Sequence, residues 1–409
     1  MQGKVSLKEL AKKRVLILDG AMGTAIQQRR LSAEDFTFPG ENQAHPGCNE
    51  VLSLSRPDVI SQIHTDYINA GADIIETNTF GANAFGLKDY GLSDKVYELN
   101  FAATQLARKC ADKVNRAVFV AGDIGPTGRS ASFSPSVDDP AFRESAFWDF
   151  VAMYREQVKG LLDGGADLLL VETIFDTLVA KAALTAITDE FKVRNIEVPI
   201  MVSATFSDKS LRTLSGQDLE AFVTSISSYP VFSLGVNCST GVAEMIPLIK
   251  DLAKFSPFKT SAHPNAGFPD NDGYYAQTPK ELAELLRPVL EEGLLNIVGG
   301  CCGTGPEHIK AIAKMAENKP CFKSSQEEPI LKLSAWDTLK IPREHLFITV
   351  GERANVAGSR KFARLIKEEK YEEAISITRK QIEEGAQIID ICMDDAMLDA
   401  PEAMKTFLR

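Results

Sequence analysis

The feature that most restricts this chain is a repeated unit. An amphipathic helical stretch ends at glycine, a short β-branched apolar run follows, and polar or glycine residues come next. NAGADIIETNTF (69–80), DGGADLLLVETIFD (163–176) and EEGLLNIVGGCCG (291–303) are its clearest copies. A run that is apolar at every position belongs to a strand covered on both faces, as in a parallel sheet wrapped by helices. Eight such runs are present: VLILDG (15–20), DIIETNT (73–79), VFVAGDIG (118–125), DLLLVET (167–173), IMVSATF (200–206), SLGVNCS (233–239), KTSAHPNAG (259–267) and LNIVGGCC (295–302). Between them, WDFVAMYREQVKGLLDGG (148–165) and ELAELLRPVLEEG (281–293) repeat apolar residues at the three- and four-residue spacing of a helix. Eight β/α units in about 300 residues predict an α/β fold, a (β/α)8 TIM barrel. An open doubly wound sheet is the rival. Its dinucleotide-binding version is weakened because the first turn, DGAMGT (19–24), lacks the full G-x-G-x-x-G spacing.

A barrel places its chemistry where the strands end. The ends predicted here are Asp19, Glu76/Thr77/Asn78, Asp123, Glu172/Thr173, Ser203/Thr205, Asn237/Cys238, His263/Asn265 and Cys301/Cys302. Three of these are cysteines, on strands six and eight, which one strand separates, so the thiols can face one space. Three thiolates suit Zn2+ and leave a fourth tetrahedral position open, the mark of a catalytic rather than a structural site. Buried structural cysteines are the competing reading, and spacing alone leaves the two even. The flanking glycines in GVNCSTG and GGCCGTG allow close backbone approach to a ligand. Cys48, Cys110, Cys321 and Cys392 are scattered and read as structural.

Asp19 and Glu172 follow apolar runs, and either suits the amino group of an amino-acid substrate. For Asp19, capping of the following helix is an equal alternative. The DGAMGT turn, with Gly20, can offer backbone N–H groups to a carboxylate. His263 reads as a satisfied structural histidine.

The bulk properties exclude some partners. A formal charge of -11 repels phosphate backbones, so no nucleic-acid partner is expected. No apolar stretch approaches the roughly 20 residues of a membrane span, and the N-terminus has no secretory pattern. A cytoplasmic location is the default, in which seven cysteines read as thiols, ligands or nucleophiles.

After Cys321 the texture changes. FKSSQEEPILKLSAWDTLKIPREH (322–345) is polar and weakly periodic, and reads as a linker between a barrel over 1–321 and a further segment, 346–409. There FITVGERANVAGSRKF, the helix KYEEAISITRKQIEEG (370–385) and the strand AQIIDICMDD (386–395) repeat the β-α-β order. Two strands cannot close a second barrel, so the segment reads as a truncated opening of one, with part of its apolar helix face uncovered.

DGAMGT, GADIIETNTF, GPTG (125–128), LLVETIFD, RTLSGQ (212–217), GVNCS, PNAG (264–267) and NIVGGCCGTGPEHI (296–309) together resemble the homocysteine S-methyltransferase family over roughly residues 8–320. The resemblance implies a (β/α)8 barrel in which Cys238, Cys301 and Cys302 are the zinc ligands and catalytic residues. Homocysteine sulfur would be the fourth ligand. It also implies that Asp19, Gly20, Glu172 and Asn237 meet the substrate, and that the product is methionine. VGERANVAGSRKFARLIKEEKYEEA and GAQIIDICMDDAMLDAPEAM resemble the start of the pterin-binding barrel of cobalamin-dependent methionine synthases. That likeness implies a partial folate site at Asn355, Gly358, Ser359 and Arg360. It further implies methylcobalamin as donor, bound by a cobalamin module outside this chain and recharged from 5-methyltetrahydrofolate. A cobalamin-independent transferase using betaine or S-methylmethionine, and a module that binds homocysteine and zinc without turnover, are the alternatives.

Overall fold

A computed structural model describes residues 6–206, 210–324, 330–341 and 347–409. The chain divides into two compact units, a large one holding the barrel and a small one built mainly from residues 339–409. In the large unit the eight strands are β1 (Leu16–Ile17), β2 (Ile74–Glu76), β3 (Phe119–Ile124), β4 (Leu168–Ile174), β5 (Ile200–Ala204), β6 (Ser233–Asn237), β7 (Lys259–His263) and β8 (Ile297–Val298). They form one parallel sheet in the order β1-β8-β7-β6-β5-β4-β3-β2, and a parallel bridge between Leu18 and Ile74 brings β1 beside β2. This is the predicted (β/α)8 barrel. All eight predicted runs contain a strand; β1 and β8 are shortest, because each runs at once into a glycine turn.

The apolar runs are continuous because each strand serves two cores. Leu16, Leu18, Ile74, Phe119, Ala121, Leu168, Leu170, Met201 and Ile297 fill the barrel interior. Their neighbours Ile17, Ile75, Val120, Leu169, Val171, Ile200, Val202 and Val298 point outward onto the helices. This is the period-two alternation of a strand with both faces buried. The helix Leu7–Lys13 contributes Leu7 and Ala11 to the interior cluster and so closes the floor. Buried Asn296 ties it down, donating through Nδ2 to the Ala11 carbonyl at 3.2 Å.

The segment predicted as a linker is partly ordered. Its described residues form a two-stranded sheet of β9 (Leu331–Ser334) and β10 (Thr338–Ile341). The tip, residues 333–338, belongs to the barrel unit. Trp336 carbonyl accepts from Asp218 N–H at 3.0 Å, and Arg212 of the RTLSGQ segment pairs with Asp337 at 2.6 Å. Residues 325–329 and the predicted boundary at 345/346 lie outside the described residues.

The small unit pairs β11 (Val350–Asn355) with β12 (Ile388–Cys392) in parallel, connected through the helices Arg360–Lys367 and Tyr371–Glu383. Its core centres on Phe362 and Phe407, which meet edge to face at 5.3 Å. Among its apolar side chains, Ile382, Met397 and Leu408 are exposed. Asn355 Oδ1 accepts from Ala357 and Gly358 N–H at 2.8 and 3.0 Å, and Ser359 Oγ caps the helix that Arg360 begins by accepting from Phe362 N–H. These four residues therefore form the tight turn after β11.

Candidate active site

The strand ends surround a cavity of about 240 Å³. Its wall includes Ala21–Thr24, Glu50, Glu76, Asp123, Glu172, Thr173 and the three cysteines 238, 301 and 302. A larger groove of about 480 Å³ lies at the opposite end, near Lys8 and Lys259, where the strands start rather than finish; barrels keep their chemistry at the other end.

The cysteines come together, one of the two outcomes that their spacing left open. Cys238 Sγ lies 3.8 Å from Cys302 Sγ, and the three sulfurs all lie within 4.8 Å of one another. On a tetrahedron with zinc–sulfur bonds of about 2.3 Å, sulfurs stand about 3.8 Å apart. The donor set thus fits Zn2+. Two backbone features make the convergence possible. Cys238 and Ser239 both hold left-handed conformations, with φ of 59° and 62°, which turn the chain sharply inward after β6 at a cost typical of functional sites. Gly300 lies so close to Thr304 that a Cβ there would sit 2.3 Å from its Oγ1; only glycine permits this approach. The thiols share their protons unevenly. Hydrogen bonds from Cys238 and Cys301, and then from the Tyr275 hydroxyl, hold Cys302 far below the usual thiol range. Cys301 is pushed up by donating to Cys238 and Cys302 and by burial. Cys48, by contrast, is a buried thiol that burial raises to about 12, consistent with a structural role.

Glu172 reaches the cavity through an irregularity. The β4–β5 register shifts between Val171 and Ile174, and Thr173 between them has φ of 54°, an unusual conformation for a β-branched residue. A bulge of this kind re-aims side chains, and both Glu172 and Thr173 line the cavity. Asn237 holds the bulge in place. Its Oδ1 accepts from Thr173 N–H at 3.0 Å, and its Nδ2 donates to Thr173 Oγ1 at 2.8 Å and Glu172 Oε2 at 3.4 Å. Asn237 itself is buried and does not line the cavity. Burial, then repulsion from Cys302, lifts the Glu172 carboxyl to about 7.

Asp19 and Gly20 are also placed behind the wall rather than on it. The Asp19 carboxylate accepts from Glu76 N–H at 3.1 Å. It does not cap the next helix, whose N-cap is Ala21, so the capping alternative fails: the carboxylate is drawn to the free N–H at the end of β2. The later part of the same turn, Ala21–Thr24, does line the cavity.

The sequence did not single out Glu50 or Tyr275, and it misjudged His263. Glu50 lines the cavity and accepts from Gly81 N–H at 2.8 Å. His263 is fully buried, yet neither ring nitrogen has a hydrogen-bond partner among the described residues. It is therefore not a satisfied structural histidine. Burial lowers it to about 3, so the ring stays neutral. One of its nitrogens and carboxylate oxygens of Glu76 and Glu172 lie within 4.8 Å of one another. Burial, followed by repulsion from Glu172, holds the Glu76 and Asp123 carboxyls well above their ordinary range. Among the described residues that line the cavity, four are acids and none is lysine or arginine.

Comparison with known proteins agrees with this geometry. A family model described as homocysteine S-methyltransferase matches residues 16–316, and one described as pterin binding enzyme matches residues 351–409. The chain is similar to the homocysteine methyltransferase MmuM from Escherichia coli in its metallated form, at 25% identity and a TM-score of 0.59, covering 75% of this chain and 98% of that one. The oxidised form of the same enzyme matches at 25% identity and a TM-score of 0.58, covering 75% and 97%. Among the described residues, no helix is long and apolar enough to cross a membrane.

Proposed function

The chain belongs to the homocysteine S-methyltransferase family, and we propose that it binds homocysteine and presents its sulfur for methylation to methionine, with Cys238, Cys301 and Cys302 holding a zinc ion. The observation that carries this reading is the meeting of three cysteine sulfurs within 4.8 Å on the wall of an acid-lined cavity. Zinc, when bound, supplies the Lewis acidity that keeps a thiol deprotonated near neutral pH. A solved relative carries a metal in one of its forms.

The remaining groups bind and orient. Glu172, aimed inward by the Thr173 bulge, receives the α-ammonium group. The Ala21–Thr24 turn offers backbone N–H groups to the α-carboxylate. Asp19 and Asn237 act one layer back, Asp19 by fixing the end of β2 and Asn237 by fixing the bulge. Neutral His263 adds no positive charge that would compete with the ammonium group. The acid-rich wall favours a substrate whose buried end is cationic, as the amino end of an amino acid is.

For the donor, the pterin-binding match over residues 351–409 favours methylcobalamin recharged from 5-methyltetrahydrofolate, with the turn at Asn355, Gly358, Ser359 and Arg360 on the folate side. The second reading is a cobalamin-independent transfer from betaine or S-methylmethionine. It is favoured by the barrel alone covering 98% of a homocysteine methyltransferase. Incubation of the zinc-loaded chain with homocysteine and each donor separates them: methionine formed only with methylcobalamin is expected, and methionine formed from S-methylmethionine or betaine would overturn that donor. Cys301→Ser should lose zinc and homocysteine binding together. Full zinc retention would refute the ligand assignment.

A further inference from the structure

The strand ends gather a second group of donor atoms, one that contains no sulfur. Glu76 closes β2, His263 closes β7 and Glu172 lies on the β4 bulge. A carboxylate oxygen of each glutamate and one ring nitrogen of His263 all lie within 4.8 Å of one another. The histidine separates this group from a chance gathering of acids. It is 1% exposed, and neither of its ring nitrogens has a hydrogen-bond partner among the described residues. Buried polar atoms are ordinarily paired, because leaving one unpaired is costly. Asp123 repeats the pattern on the same cavity: its Oδ1 is buried and without a partner among the described residues. A nitrogen and carboxylate oxygens that face one small space without bonding to one another are arranged for something held between them.

Charge and donor type say what that is. Two carboxylates carry a charge of -2 and an imidazole adds none, so one divalent cation cancels the group. No lysine or arginine among the described residues that line the cavity could do so. Two oxygens and one imidazole nitrogen suit a harder first-row cation, whereas thiolates select softer ions. Ligand bonds of about 2.0–2.2 Å place donor atoms about 3–3.5 Å apart, so the three side chains would draw in by at most about 1.5 Å from their present limit. Each strand end is already fixed by its own bonds. Glu76 N–H donates to Asp19, Asn237 Nδ2 reaches Glu172 Oε2, and Cys238 N–H donates to the His263 carbonyl.

We propose that Glu76, Glu172 and His263 form a second metal site, separate from the three cysteines, which takes a divalent cation of the Mn2+ or Fe2+ kind while homocysteine is absent. Its bearing on the reaction rests on the reading of Glu172 given above. One carboxylate cannot hold both the cation and the α-ammonium group, so the two exclude each other, and homocysteine enters by displacing the ion.

Mn2+ is a suitable probe, since it favours oxygen donors over thiolates and its paramagnetic resonance signal falls on binding. Titrated into the zinc-loaded chain without homocysteine, it should bind at one ion per chain. His263→Leu removes ring nitrogens that have no partner and fills the space with an apolar group; it should weaken Mn2+ binding at least about tenfold while zinc content stays at the wild-type level. Glu76→Gln should weaken it likewise. A wild-type chain that binds no Mn2+, or one that binds it no better than both variants, would overturn the proposal. Added Mn2+ should also raise the apparent Kd for homocysteine in calorimetry, in proportion to its concentration. Mn2+ bound as described but without effect on homocysteine would refute the ammonium role of Glu172 and leave the metal site standing.

Discussion

Replacing Glu172 by glutamine should make the protein more stable and a worse binder at the same time. The carboxyl is buried in the folded chain and titrates at about 7, against 4.5 for an ordinary glutamate. A raised folded-state value means that the stabilising form is the protonated one. Its contribution is complete below pH 4.5 and is lost as the pH rises through 7. At pH 8 the wild-type chain therefore carries an ionisation penalty of roughly 3 kcal/mol, from about 1.4 kcal/mol for each pH unit separating the two values. Glutamine has no such penalty and keeps an oxygen to accept from Asn237 Nδ2. Urea denaturation should show the variant gaining up to roughly 3 kcal/mol over wild type at pH 8 and under about 1 kcal/mol at pH 5. Homocysteine binding should move the other way. Loss of a charge-assisted hydrogen bond to the ammonium group costs roughly 1.5–3 kcal/mol, or about 10- to 100-fold in Kd, measured by calorimetry. Wild-type affinity in the variant would refute the assigned role of Glu172, and equal stability at pH 8 would refute the claim that its charge is buried without compensation.

Further substitutions probe the supports. Asn237→Ala removes both side-chain contacts that hold Thr173 in its left-handed conformation; it should cost roughly 1–3 kcal/mol in denaturant melts and weaken homocysteine binding, although Asn237 touches no part of the cavity. Asp176 accepts from Ser130, Ala131, Ser132, Leu178 and Val179, so Asp176→Ala should cost roughly 2–4 kcal/mol and open residues 130–133 to limited proteolysis. Gly303→Ala combines a left-handed backbone with a collision against Tyr275; a loss of roughly 2–4 kcal/mol and a fall in zinc content by atomic emission are expected.

The barrel was legible because burial on both faces leaves a mark that composition cannot hide: Leu168–Val171 is apolar at every position, though alternate residues face different cores. The cysteine cluster was legible in part, since strand ends in a barrel must converge. What escaped was set by backbone conformation. Nothing in LLLVETIFD announces that Thr173 takes a positive φ, because the bulge exists only through Asn237, 64 residues later. Tyr275 escaped because its neighbours are turn formers, and its ring rests on Gly303, which follows another strand end. His263 was misjudged by a rule drawn from ordinary cores, where imidazoles are satisfied. The hairpin did leave a signal: Leu331, Leu333, Leu339 and Ile341 alternate with polar residues around a Ser-Ala-Trp-Asp turn. That signal is weak because most of these positions stay partly or fully exposed.

The helix Leu7–Lys13, which closes the barrel floor, bears on traffic. A tube plugged at one end and filled with leucine and isoleucine is a well, and a well has one mouth. On the function proposed above, homocysteine, the methyl group and methionine would then share a single passage on the strand-end face. Whichever substrate entered second would cover the first, and product would leave only after the donor side had withdrawn. Such a shape imposes an order on the events and favours kinetics in which amino acid and donor are held together before either departs.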